Sequence, residues 1–204
     1  MNKELFQYCL ADNAEVIEQI RSAAHALHDS VNQTYGDSHP YGFHLDMVAA
    51  AVRKYGHEVC DSADDVVPLL FGAYFHDSIE DARLTYNDVV RTASQWMDER
   101  QAFMAAEIVY ALTNDKGRTR DERAGDNYYK GIRSTPYAPF VKLADRLANT
   151  SYSASHLEGR KSHMKEVYHR EMPHFLASID AKQRDRRLCL PQSMIEELNA
   201  LVAQ

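Results

Sequence analysis

Two histidines and two aspartates, His44, His76, Asp77 and Asp145, are the residues of this sequence whose types best suit a divalent cation. Imidazole nitrogens and carboxylate oxygens together favour a hard or borderline ion, and hydrolysis follows only when coordination positions stay open for water and substrate. Four protein ligands on a six-coordinate ion leave two such positions. The set resembles that of manganese or iron, one ion per chain, better than a closed tetrahedral zinc site. Glu80 and Asp81 follow His76 and Asp77 by four positions, so one surviving helical turn puts the two pairs on neighbouring ground. Acids so placed are suited to orienting or deprotonating a water.

Each residue alone has a plainer reading. A histidine in an apolar helix is commonly a hydrogen-bonded core residue, Glu80 and Asp81 could form an exposed acidic helix end, and Asp145 could pair with its neighbour Arg146. Neighbouring residues of a regular helix point about 100 degrees apart, so His76 and Asp77 can face one ion only at a helix end or kink. The joint occurrence of the six residues is what favours chemistry.

The elements that must position them are helical. Glycine and proline are sparse, at eight and six, and apolar residues recur mainly at three- and four-residue intervals. Helices are predicted over Asn13 to Tyr35, His44 to Tyr55, Asp64 to Ile79, Tyr86 to Arg91, Arg100 to Leu112, Arg120 to Ile132, Tyr137 to Ser151, Gly159 to Ser178 and Gln192 to Val202. The run VVPLLFGAYF, Val66 to Phe75, is apolar on nearly every side and should be the central helix, with His76, Asp77, Glu80 and Asp81 at its polar end. In VKLADRLAN, Val141 to Asn149, Asp145 sits at the margin of an apolar stripe and needs a partner. Asn32 to Phe43 reads as a loop leading to His44, and Thr113 to Arg123 as a polar loop with Lys116, Arg118, Arg120 and Arg123. Those cations are read first as a solvated basic loop and second as helpers at a phosphate site.

The 204 residues suffice for one domain spanning 1-204, and no internal repeat breaks them. A net charge of -7 opposes general nucleic-acid binding, which needs a basic face against the phosphates. No apolar run reaches the roughly 20 residues of a membrane span, and the first residues lack a secretory pattern, so a cytoplasmic protein is expected. Cys9, Cys60 and Cys189 fit neither a disulfide framework nor a metal clip. The remaining eight histidines, His25, His28, His39, His57, His156, His163, His169 and His174, fit no ligand pattern. A homo-oligomer is compatible with such a chain, although no heptad run or apolar patch marks an interface.

The segments HPYGFHLDMVA, FGAYFHDSIEDARLT and VKLADRLAN, in that order, resemble the hydrolase domain of the RelA/SpoT alarmone enzymes and, more closely, the stand-alone small alarmone hydrolases. The resemblance runs over about residues 15 to 180 and implies an all-α fold, the HD-domain helical bundle. Through it, His44, His76, Asp77 and Asp145 become the ligands of what is usually manganese, and Glu80 and Asp81 the pair serving the nucleophilic water. Lys142, Arg146 and Asn149 match the other polar positions of the last motif, Asn149 near the nucleoside. Thr113 and Asn114 fall where the family has a nucleoside-contacting loop. Where the family places a guanine-stacking arginine followed by lysine, this chain has Tyr35 and Gly36, and where it has a histidine near the end of the last motif this chain has Ala148. Tyrosine can still stack on a base, so Tyr35 is carried over as a base contact and adenine alarmones enter beside guanine ones.

The implied activity is metal-dependent hydrolysis of the 3'-pyrophosphate of (p)ppGpp or a related purine alarmone such as (p)ppApp, a small-molecule nucleotide being the partner. Two rivals accompany it. One is an HD phosphohydrolase acting on another nucleotide, and the other is a catalytically silent nucleotide-binding module.

Overall fold

The computed structural model describes all residues except 37, 116–117, 156–159 and 204, and describes the backbone but not the side chains of 120, 121, 160–163, 165 and 203. Lys116, the side chain of Arg120, His156, the side chain of His163 and the expected helix start at Gly159 therefore lie outside the described residues.

The chain is an all-helical bundle. At its centre is α4, Val66–Phe75, in which all ten residues are buried. An element with no polar face is stable only when other helices surround it. Four do: α2 (Ala14–Ser30), α3 (Gly42–Tyr55), α6 (Glu99–Leu112) and α9 (Ala138–Ala154). The approach to α6 is close, because a Cβ on Gly72 would stand 2.6 Å from Ile108 Cγ2. Helix α2 contributes Ile17, Ile20, Ala24 and His28, a helical stripe turned inward, and α3 contributes Leu45, Val48, Ala49 and Val52. The core residues form one hydrophobic cluster.

Outside this centre lie α1 (Lys3–Asp12), α5 (Tyr86–Ala93), the single turn α7 (Arg120–Arg123), α8 (Asp126–Ser134), α10 (Arg160–Ile179) and α11 (Gln192–Ala203). Helices α5 and α6 both begin at capping boxes, Thr85 with Asp88 and Asp98 with Gln101, which satisfy the first amide groups reciprocally. The start of α9 is tied to the start of α4. Buried Tyr137, held at φ 68, donates its hydroxyl proton to Asp65 Oδ2 at 2.6 Å and accepts from the Asp61 amide at 3.1 Å.

Three expected elements need correction and one helix is new. The helix expected over Asn13 to Tyr35 stops at Ser30, because Asn32 takes φ 55, and a small antiparallel pair follows: β1 (Thr34–Tyr35) against β2 (His39–Pro40). Residues 3–12, unassigned from the sequence, form α1, whose Asn2 cap accepts from the Leu5 amide and whose Phe6, Cys9 and Leu10 are buried. The central helix ends at Phe75, short of Ile79. Expected as one helix, Arg120 to Ile132 is broken before α8 at Gly125. Among the described residues no helix is long and apolar enough to cross a membrane.

Candidate metal centre

His44 stands in the first turn of α3, His76 and Asp77 in the turn that closes α4, and Asp145 near the middle of α9. Three mutually packed elements thus carry four side chains to one place. His44 Nε2 is 3.3 Å from His76 Nε2, 3.4 Å from Asp145 Oδ1 and 3.8 Å from Asp77 Oδ2. His76 Nε2 is 2.8 Å from Asp77 Oδ2 and 4.0 Å from Asp145 Oδ1. With metal–ligand bonds of about 2.1 Å, adjacent donors of a six-coordinate ion stand about 3.0 Å apart and opposite donors about 4.2 Å. The distances among His44, His76 and Asp145 fall in that interval, the 2.8 Å between His76 Nε2 and Asp77 Oδ2 being a direct hydrogen-bond distance below it, and donor atoms of His44, His76 and Asp145 all lie within 4.8 Å of one another. Asp77 lies beside this group of three, its Oδ2 against the two imidazoles.

The turn after Phe75 explains how adjacent residues reach one point. The Ser78 amide donates to Phe75 O, the Asp81 amide to Asp77 O, and the Leu84 amide to Ser78 O, so the chain curls without continuing α4. His76 Nδ1 lies 2.9 Å from Ala73 O. A proton on Nδ1 satisfies that carbonyl and directs Nε2 inward, where it offers a lone pair once its own proton has left, the arrangement metal-bound histidines favour. His44 and His76 are each 2% exposed and the carboxylates of Asp77 and Asp145 are half-buried beside them, so four polar side chains are gathered where unpaired polar groups are costly. A divalent cation fits this donor set.

The electrostatics agree. Burial lowers the His76 pKa, but the charge and hydrogen bond of Asp77 and the charge of Asp145 overcome it and raise the value to about 9. Burial also opposes ionisation of Asp77 and Asp145. Yet His76 beside Asp77, and Lys142 with both histidines beside Asp145, hold these carboxyls below the usual range. Two carboxylates are therefore ionised in a place that attracts positive charge.

The other expected residues reach the site by different routes. Glu80 is exposed, and its carboxylate accepts from Asn114 Nδ2 at 2.8 Å and from the Asn114 amide at 3.4 Å. Asn114 therefore clamps Glu80. Asp81 accepts from Gln33 Nε2 at 3.2 Å, and its carboxyl is raised above the usual range by burial and by the charge of Asp77. Thr113 spends its hydroxyl on Val109 O at the end of α6. Asn149 donates from Nδ2 to Asp145 Oδ1 at 2.5 Å and accepts the Tyr35 hydroxyl proton at 2.8 Å. One face of Tyr35 lies on the His44 ring, 4.7 Å away.

Lys142 donates to Asp145 Oδ2 at 3.0 Å and lies over the Tyr128 ring. Arg146 pairs with Glu171 at 3.2 Å and packs its guanidinium over Phe175 and Tyr168. Both line a cavity of about 140 Å³ together with Asn114, Arg123, Ala124, Tyr128 and Tyr129. Of the basic loop, Arg123 reaches this wall.

Sequence reasoning missed Tyr41, whose hydroxyl donates to Asp77 Oδ2 at 2.5 Å and whose ring stacks on fully buried His28. Its position three residues before His44, at the entry to the ligand helix, was the available signal. Gln33 and Glu171 carried none, since both act across elements far apart in sequence. Comparison with models of known families and with curated proteins gives no match.

Proposed function

We propose that this chain is a metal-dependent phosphohydrolase that cleaves the 3'-pyrophosphate of (p)ppGpp or a related purine alarmone such as (p)ppApp, releasing pyrophosphate. The observation that carries the reading is the convergence of His44, His76 and Asp145, flanked by Asp77, on one buried point. These four residues would hold one divalent cation, manganese before iron, cobalt or zinc. A cation so bound makes water acidic enough to act near neutral pH and offsets phosphate charge.

The rest falls to the protein's own groups. Asp81, its carboxyl already raised, accepts the proton of the attacking water at a carboxylate oxygen, and Glu80 orients that water while Asn114 holds Glu80 in place. Water oxygen bonds to phosphorus and the bond from phosphorus to the ribose 3'-oxygen breaks, so that pyrophosphate carries the water oxygen. The nucleoside 3'-oxygen, the leaving group, takes up the proton that Asp81 accepted. Arg123, with Lys142 and Arg146 behind it, presents positive charge to the departing phosphates in the adjoining cavity. The three sequence segments supply the substrate class, through their resemblance to alarmone hydrolases.

A nucleotide panel with manganese, its products separated by anion exchange, tests the reading. The expected result is conversion of ppGpp or ppApp to the corresponding 5'-diphosphate and pyrophosphate. Manganese-loaded protein that leaves both intact, or that hydrolyses only nucleotides without a 3'-pyrophosphate, would overturn it.

A further inference from the structure

Of the two candidate histidine ligands, only His76 has its outer ring nitrogen, Nδ1, held by a hydrogen bond among the described residues. His76 Nδ1 meets Ala73 O, whereas His44 Nδ1 is buried and has no hydrogen-bond partner among the described residues. Something else must set the plane of the His44 ring. Tyr35 lies parallel to it, with ring centroids 4.7 Å apart and planes inclined by 16°.

The same tyrosine reaches a second candidate ligand. Its hydroxyl donates to Asn149 Oδ1 at 2.8 Å, and Asn149 Nδ2 donates to Asp145 Oδ1 at 2.5 Å. That carboxylate oxygen is the one 3.4 Å from His44 Nε2. One side chain therefore bears on His44 through its face and on Asp145 through its tip.

The backbone holds Tyr35 to this task. Tyr35 pairs with His39 across the two short strands, and Gly36 follows at φ 62, in the left-handed region that glycine enters without cost. A Cβ at Gly36 would stand 2.0 Å from the Tyr152 hydroxyl oxygen, so the turn is seated directly on α9. Tyr152 also closes on the Tyr35 ring, with centroids 4.7 Å apart.

We propose that Tyr35 is a positioning residue of the metal centre, fixing the His44 ring by stacking and the Asp145 carboxylate through Asn149. The inference rests on the reading of His44 and Asp145 as ligands. It gives Tyr35 a role distinct from base contact, since one face of the ring lies on His44 and Tyr152 and Phe43 also pack around it.

Calorimetric titration of metal-free protein with manganese chloride tests it, with circular dichroism to confirm folding of each variant. Loss of groups that orient a ligand weakens metal binding by about 10- to 100-fold. Tyr35→Phe keeps the stack and loses the relay, so its manganese Kd should rise about tenfold. Tyr35→Ala loses both and should lie near the upper end of that range. Asn149→Ala should resemble Tyr35→Phe, and the double variant Tyr35→Phe with Asn149→Ala should be no weaker than Asn149→Ala, because the two residues act through one relay. Unchanged manganese affinity in Tyr35→Phe and Tyr35→Ala, with a raised KM for nucleotide, would overturn the positioning role and restore the base contact. Wild-type protein that takes up no manganese would overturn the metal reading itself, and the positioning role with it.

Discussion

Metal uptake by this site should release a proton, and the structure says from where. His76 Nδ1 faces Ala73 O, and with its pKa raised to about 9 the imidazole of metal-free protein carries a second proton on Nε2 at neutral pH. A cation can bind Nε2 only after that proton leaves. With a pKa of about 9 the proton-free fraction grows about 24-fold between pH 7 and pH 8.5, whereas with an ordinary histidine pKa of about 6.5 it grows only about 1.3-fold. Apparent manganese affinity should rise accordingly. At pH 7.5 the bound proton costs about 2 kcal/mol of affinity, from about 1.5 pH units at 1.36 kcal/mol each. Competition against a chelator of known pH dependence gives the affinities, and calorimetry in buffers of different ionisation enthalpy counts the protons. About one proton per ion is expected at pH 7. Asp77→Asn removes the charge nearest His76, so affinity should fall while its pH dependence flattens. A wild-type affinity that is level from pH 7 to 8.5, with no proton released, would refute the electrostatic reasoning. The sign for stability is the reverse. A raised pKa stabilises the folded, metal-free protein below the unfolded value of about 6.5, and that contribution is lost as pH rises through about 9.

Other outcomes follow from the same structure. Glu80→Gln and Asp81→Asn should keep the metal and lose most turnover, whereas Asp145→Ala should lose both. Near wild-type rates in the first two would return that pair to the status of an acidic surface turn. Excess chelator should abolish hydrolysis and manganese should restore it best, a result checked by pyrophosphate release. Tyr137→Phe removes the donor to buried Asp65 and should cost about 2 kcal/mol, or about 4–8 °C in melting temperature. Manganese affinity should be unchanged, because Asp65 lies at the far end of α4, about 15 Å of helix from His76. A weakened manganese affinity in Tyr137→Phe would show that the two ends of α4 are coupled.

The central helix was legible because nothing but complete burial tolerates Val66 to Phe75, but its end was placed late, at Ile79, because the switch to His76 and Asp77 marks the end of the apolar run and does not by itself fix the last helical residue. Binary pattern gave the positions of α3 and α9 for the same reason. The strands at 34–35 and 39–40 were not legible: each is two residues long, too short for an alternating pattern, and the turn depends on Gly36 meeting Tyr152 more than a hundred residues away. Helix α1 was missed because its apolar residues, Phe6, Cys9 and Leu10, are few and its cap is a single asparagine. At the candidate site, residue types suited to a metal could be read from chemistry, but the groups that hold them could not. The Tyr41 bond to Asp77, the Asn114 clamp on Glu80 and the Glu171 pair with Arg146 join distant segments, and only packing makes them neighbours.

The most direct test of the central claim is a manganese-edge anomalous difference map from crystals of the manganese-loaded protein. One peak is expected per chain, about 2.2 Å from His44 Nε2, His76 Nε2 and carboxylate oxygens of Asp77 and Asp145. A peak at any other place, or none in protein that hydrolyses its nucleotide at full rate, would contradict the account.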